Sequence, residues 1–107
     1  MVDAFHDGAA AAECDVDVTV EKLFTGYRFK PSERAVLVAE AAFQATGYEP
    51  KRVTTGGGAD GNAFIAKGFA TVCLANGTER NHQPDERVTV SALEGMLDVA
   101  LALLDAA

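Results

Sequence analysis

Histidine 82 is the residue best suited to chemistry in this chain. It lies in the loop NGTERNHQPDER, with Asn81 before it and Asp85 and Glu86 close behind. Imidazole is the commonest protein ligand for a metal, but a zinc site needs three or four such donors. The other histidine, His6, stands far away in sequence with no partner motif. Spacing alone therefore leaves two readings of His82 open, a metal ligand and a solvated loop residue. The second chemical feature is the cluster Gly56, Gly57, Gly58, followed by Ala59, Asp60, Gly61 and Asn62. Glycines in succession let a backbone approach a ligand closely and turn N–H groups toward it. The plainer alternative is a flexible turn. Gly56, Gly58 and Gly61 also fit the G-x-G-x-x-G dinucleotide fingerprint, with Glu79 near the distance of a ribose-binding acid. Only Asn62 to Lys67 is left for the crossover helix before Gly68, and such a crossover needs a dozen residues or more. The fingerprint is a poor fit. Asp60 reads as a metal ligand or, more simply, as a helix cap.

The elements that must position these residues follow from periodicity. Residues 2–12 are alanine-rich and predict a helix that Gly8 weakens. Residues 15–21 alternate, Val16, Val18 and Val20 against Asp17, Thr19 and Glu21, which predicts a half-buried strand with one wet face. Gly26 and Pro31 bracket GYRFKP and suggest a hinge. Ser32 is the expected cap of a helix carrying Val36, Ala39 and Phe43 and stopped by Gly47. A short strand is expected at 51–55, and a short turn of helix near Asn62–Lys67. FATVCLA, at 69–75, is apolar on both faces, as a central parallel strand would be. Ser91 and Glu94 form a candidate capping box for a last helix, with Leu93, Leu97, Leu101 and Leu104 repeating on one face. The predicted class is α/β: a partial, mostly parallel sheet with flanking helices, preceded by a helix–strand piece.

Composition narrows the function. The chain has 107 residues, half of them apolar, enough for one modest core. A net charge of −7 repels phosphate backbones, so nucleic acid is a poor partner. No apolar run suits a membrane span, and no basic region leads into an apolar stretch as in a secretory signal. The two cysteines, Cys14 and Cys73, lack metal-ligand spacing. A disulfide between them is possible but not required, so a reducing cytoplasm is the expected location. Cys73, inside the apolar run, is expected to be a buried thiol.

Together, TTGGGADGNAFIAKGFATVCLANGTERNHQPDERVTVSALEGMLDVALALL resembles the C-terminal end of the dinuclear-zinc metallopeptidase family that includes peptidase T, aminoacylase and carboxypeptidase G. That family runs G-G-[GT]-[SA]-D-[AG]-N, a short segment ending near K-G, an apolar strand, a histidine loop with an acidic residue following, and an amphipathic helix. The upstream DVDVTVEKLFTGYRFKPSERAVLVAEAAFQATGYEP resembles the end of the family's lid (dimerisation) domain and its return into the catalytic domain. On that resemblance residues 1–30 are lid and 31–107 catalytic domain. The chain then begins inside a lid helix, and Met1 reads as a cut rather than a natural start.

The resemblance implies two zinc ions bridged by a carboxylate and a water, with a glutamate as general base. It makes His82 the last metal ligand. It places Gly57 and Gly58 in the loop whose N–H groups approach a substrate carboxylate, with Asn62 in the same motif. Arg28, near the hinge, is a further candidate for that carboxylate, or else a surface residue. The bridging aspartate, the base and the remaining ligands belong to an N-terminal portion absent from this sequence, so no catalytic residue falls in this segment. One ligand cannot hold two ions. The chain is therefore expected to be inactive and not to bind zinc tightly alone, within a parent that cleaves peptide or N-acyl amino acid bonds. Uncovered sheet edges and helix faces would favour homo-oligomers. Three other readings stand beside this one: a stand-alone module that holds a small carboxylate in the glycine loop, a dinucleotide-binding piece, and an oligomerisation unit built on residues 15–21.

Overall fold

Small side chains recur along 34–45 and 90–106, and they decide what packs. In the computed structural model, which describes residues 1–106, the chain forms four helices: α1 (Val2–Ala11), α2 (Arg34–Ala45), α3 (Asp60–Ala66) and α4 (Val90–Ala106). α2 and α4 pack against each other. Val36, Ala39 and Ala42 are buried on α2, Gly95 and Val99 on α4, and no side chain is more fully enclosed than Val99. Glycine and alanine at these positions let the two backbones come close. Tyr48, just beyond α2, seats its hydroxyl against Gly95 where a Cβ would otherwise stand.

The buried face of α4 is not the one its leucines predict. Leu93, Leu97, Leu101 and Leu104 are 52%, 60%, 53% and 75% exposed, on the side turned away from Val99. At 100° per residue α4 therefore carries two apolar faces, and among the described residues the leucine face is the exposed one. Glu94, Asp98 and Asp105 make a third, acidic stripe on the same helix.

The helix ends share one device. Tyr48 N–H donates to the Phe43 carbonyl (2.9 Å) and Gly47 N–H to Gln44 (3.1 Å), with Gly47 at φ +86°. Phe69 N–H donates to Phe64 (3.0 Å) and Gly68 N–H to Ile65 (2.9 Å), with Gly68 at φ +87°. These are Schellman closures, and each carries the expected apolar clasp. The Phe43–Tyr48 rings lie edge to face at 6.2 Å, and Phe64–Phe69 at 6.3 Å. α1 ends the same way with Glu13 at φ +51°. Two helix starts differ from expectation. Glu33, not Ser32, stands at the N-cap of α2. Thr89 Oγ1, not Ser91, accepts from the N–H of Ala92 (3.1 Å) as α4 opens.

The expected partial, mostly parallel sheet is overturned: among the described residues there is no strand, and pairing is confined to one isolated antiparallel bridge, Glu79–Arg87. The runs 15–21, 51–55 and 69–75 all lie outside the helices with no ladder of their own. The helix–strand piece expected at the N-terminus keeps its helix and loses its strand. Alternation and apolarity prepare a segment for a sheet, but the ladder needs a neighbouring strand. Among the described residues none of these three runs is paired with another. Cys73 is correspondingly exposed rather than buried, and both cysteines are free. The radius of gyration is 19.6 Å, against about 13 Å for a closed domain of this size. The accessible surface is 8821 Å², against about 5,700 Å² for a folded monomer of this mass.

One ion pair joins α2 to the stretch that leads into the glycines. Arg52 donates through Nε and Nη2 to both Glu40 oxygens (2.5 and 2.7 Å) and through Nη1 to the Pro31 carbonyl (3.1 Å). Arg52 holds the Glu40 carboxyl below its ordinary value, and Glu40 raises the guanidinium in turn. A depressed folded value contributes stability above the ordinary carboxylate range, lost as pH falls through the folded value. Arg52→Met should return Glu40 toward the ordinary carboxylate value, read by NMR titration of its side chain. In urea unfolding, Val99→Ala should cost about 2 kcal/mol, while Leu97→Ala in this chain should cost less than about 0.5 kcal/mol.

Candidate functional site

Among the described residues Asn62 is the polar side chain that the fold buries, at 7% exposure. It stands in the first turn of α3. Its Oδ1 accepts from the N–H of Ala59 (2.9 Å), the helix N-cap, which is half of a capping box. Its Nδ2 donates to the Thr25 carbonyl (2.9 Å), 37 residues upstream. Both ends of the amide are thus engaged, and the segment around residue 25 is drawn onto the start of α3.

Two glycines make that approach possible. A Cβ on Gly58 would lie 2.5 Å from the Phe24 ring. A Cβ on Gly61 would lie 2.7 Å from Cys73 Sγ and 3.6 Å from the Tyr27 hydroxyl. Tyr27 Oη donates to Cys73 Sγ (3.7 Å), and that bond, with burial and the thiolate charge as lesser causes, raises the phenol above its ordinary value. Gly56 and Gly57 differ: nothing lies within 4 Å of either Cβ position. The glycine loop therefore has a closed side, under Phe24, and an open side at Gly56 and Gly57. Arg28 is exposed next to Tyr27, on the rim of a shallow groove of about 330 Å³ shared with Phe29, Ile65 and Phe69.

His82 occupies a loop tied by its own bonds. Glu79 and Arg87 exchange backbone hydrogen bonds (2.8 and 3.2 Å), and their side chains pair at 2.8 Å. Arg80 pairs with Asp85 at 2.5 Å. His82 sits at φ +64° with its N–H donating to Glu86 Oε2 (2.6 Å), and Arg80 at φ +57°. Left-handed backbone at two non-glycine residues costs of order 1–3 kcal/mol each and persists only where surroundings hold it. Here the bridge and the two acidic side chains do so. The imidazole remains exposed.

Of the residues singled out in the sequence, Gly58 and Asn62 meet around segment 24–27, with Arg28 adjoining. Gly57 lies on the open side of the same loop. No hydrogen bond or ion pair among the described residues joins that cluster to the His82 loop. Nor do three His, Cys, Asp or Glu side chains converge to hold a metal among the described residues. The exposed His82 imidazole has the chemistry of a single metal donor. Sequence reasoning missed Phe24, Thr25, Tyr27 and Cys73. Their signal was the aromatic density of FTGYRF facing glycines that a Cβ would spoil. No helix among the described residues is long and apolar enough to cross a membrane.

An exposed-backbone glycine loop thus opens a short helix, a pinned histidine loop follows it, and comparison gives the chain a family. The profile of the peptidase family M20/M25/M40 matches residues 4–106. The chain belongs to that family. It is also similar to the "Uncharacterized protein YqjE" of Bacillus subtilis (strain 168), 28% identical over 107 residues. That match covers 100% of this chain and 29% of the relative, so the chain spans under a third of the curated protein it matches. No solved structure matches.

The glycines separate by what surrounds them. Gly58→Ala should destabilise the chain by about 1–3 kcal/mol, since the whole Phe24 ring must move. Gly57→Ala should stay within about 0.5 kcal/mol of the parent sequence. Thermal denaturation of both variants checks the contrast.

Proposed function

We propose that this chain is the C-terminal segment of a zinc-dependent hydrolase that cleaves peptide or N-acyl amino acid amide bonds, and that it is inactive alone. The observation that carries this reading is the family match along nearly the whole chain, over residues 4–106. Residues 1–30 form the end of a lid domain and 31–107 the C-terminal part of the catalytic domain, with the return between them near residues 26–31. The open backbone at Gly57, continuing into Gly58, receives the substrate carboxylate, and Arg28 adds positive charge beside it. Backbone N–H groups held in place are strong anion donors in a water-poor site.

His82 is the one zinc ligand this segment contributes. When bound, zinc lowers the pKa of a coordinated water and polarises the amide carbonyl. The remaining ligands and the general base come from the parent's other residues. The exposed leucines of α4 and the unpaired run 15–21 favour a homo-oligomer. Two free thiols favour the cytoplasm.

The full-length protein carrying this segment should hydrolyse dipeptides or N-acetyl amino acids, lose activity to a chelator, and regain it with zinc. His82→Ala should lower its zinc content. The isolated chain should show neither turnover nor zinc retained after dialysis. Stoichiometric zinc on the isolated chain, removed by His82→Ala, would contradict the proposal. Hydrolysis absent from the full-length protein, with carboxylate binding by the isolated chain, would favour a small-carboxylate module instead.

A further inference from the structure

We propose that Asn62 is a positioning residue that locks the return segment 24–28 to the glycine loop, so that the two behave as one body. This rests on the reading that the glycine loop receives a carboxylate and that segment 24–28 leads back from a lid. Three independent contacts support it. The Asn62 amide joins the Ala59 N–H to the Thr25 carbonyl, each at 2.9 Å. The Phe24 ring lies flush against Gly58. The Tyr27 hydroxyl reaches Cys73 directly above Gly61.

Asn62 is the only one of these groups that bonds to both bodies through one rigid side chain. Its amide is planar, and with 7% of the residue exposed it has no room to turn outward. An amide can do this because it presents an acceptor and donors on one carbon. Aspartate keeps the acceptor for Ala59 but offers the Thr25 carbonyl nothing to accept. Alanine leaves both partners unmet, at a cost that buried groups feel strongly. With both ends of its amide engaged by backbone, Asn62 acts through its neighbours. It fixes where the Gly57 and Gly58 N–H groups sit, and it ties that position to any movement of the lid.

The test has a structural arm and a kinetic arm. In the chain as it stands, the Gly58 α-protons should carry a ring-current shift from Phe24, and the Asn62 side-chain protons should exchange slowly. Asn62→Asp should abolish that shift while the Val99 methyl signals of the α2–α4 contact stay in place. An unshifted Gly58 in the parent sequence, or a shift that survives Asn62→Asp, overturns the proposal. Because the slow-exchange measurement needs no variant, a failure of Asn62→Asp to fold does not remove the test.

In the full-length protein, Asn62→Asp should raise KM for a substrate with a free carboxylate about ten-fold or more, with kcat within about three-fold. KM for the matching carboxamide, which lacks that carboxylate, should not change. Equal losses of kcat for both substrates would make Asn62 part of the reacting site and overturn the proposal. If the full-length protein hydrolyses neither substrate, the functional reading fails alone, and the structural arm still decides the brace.

Discussion

The contact between α2 and α4 is the interaction on which the rest of this chain depends. It is narrow, built from Val36, Ala39 and Ala42 against Gly95 and Val99, and it works through close approach rather than bulk. Two ties extend from it. Tyr48 closes the end of α2 against Gly95, and Arg52 pins the stretch before the glycines to Glu40. With so little apolar surface enclosed, stability comes from local closures at helix ends and a few long-range hydrogen bonds. That explains how a chain with a 19.6 Å radius of gyration can still hold two defined loops.

The helices were largely legible in the sequence, and for physical reasons. Gly47 and Gly68 supply the left-handed residue that ends a helix, each followed by an aromatic that folds back on another aromatic. Such punctuation is local, so it can be read without knowing what surrounds it. The choice of face on α4 was not legible. Two apolar stripes compete there, and the leucine stripe looks stronger than glycine and valine. The helix that α4 meets is lined with small residues, so the small stripe is the one that packs. Strands fail for the opposite reason. Residues 15–21 and 69–75 keep the right pattern, but their pairing depends on a neighbour that the pattern does not specify.

The site was legible in parts. Glycine clustering pointed to the loop and resemblance pointed to His82, but neither revealed that the loop has a closed side and an open side. That asymmetry comes from Phe24, which no periodicity connects to Gly58 across more than thirty residues. Asn62 carries a similar lesson. It stands inside a motif associated with ligand contact, yet both its polar ends are already engaged by backbone. A residue can be required at a site because it arranges its neighbours.

The ring closed by Glu79 and Arg87 has a thermodynamic consequence of its own. Closing a loop of about nine residues costs about (3/2)RT ln n plus a constant in chain entropy, and here the bridge and its ion pair meet that cost before any ligand arrives. His82 has therefore lost much of its backbone freedom in advance. A group that binds its imidazole has less disorder to remove, and more of the bond it forms appears as affinity.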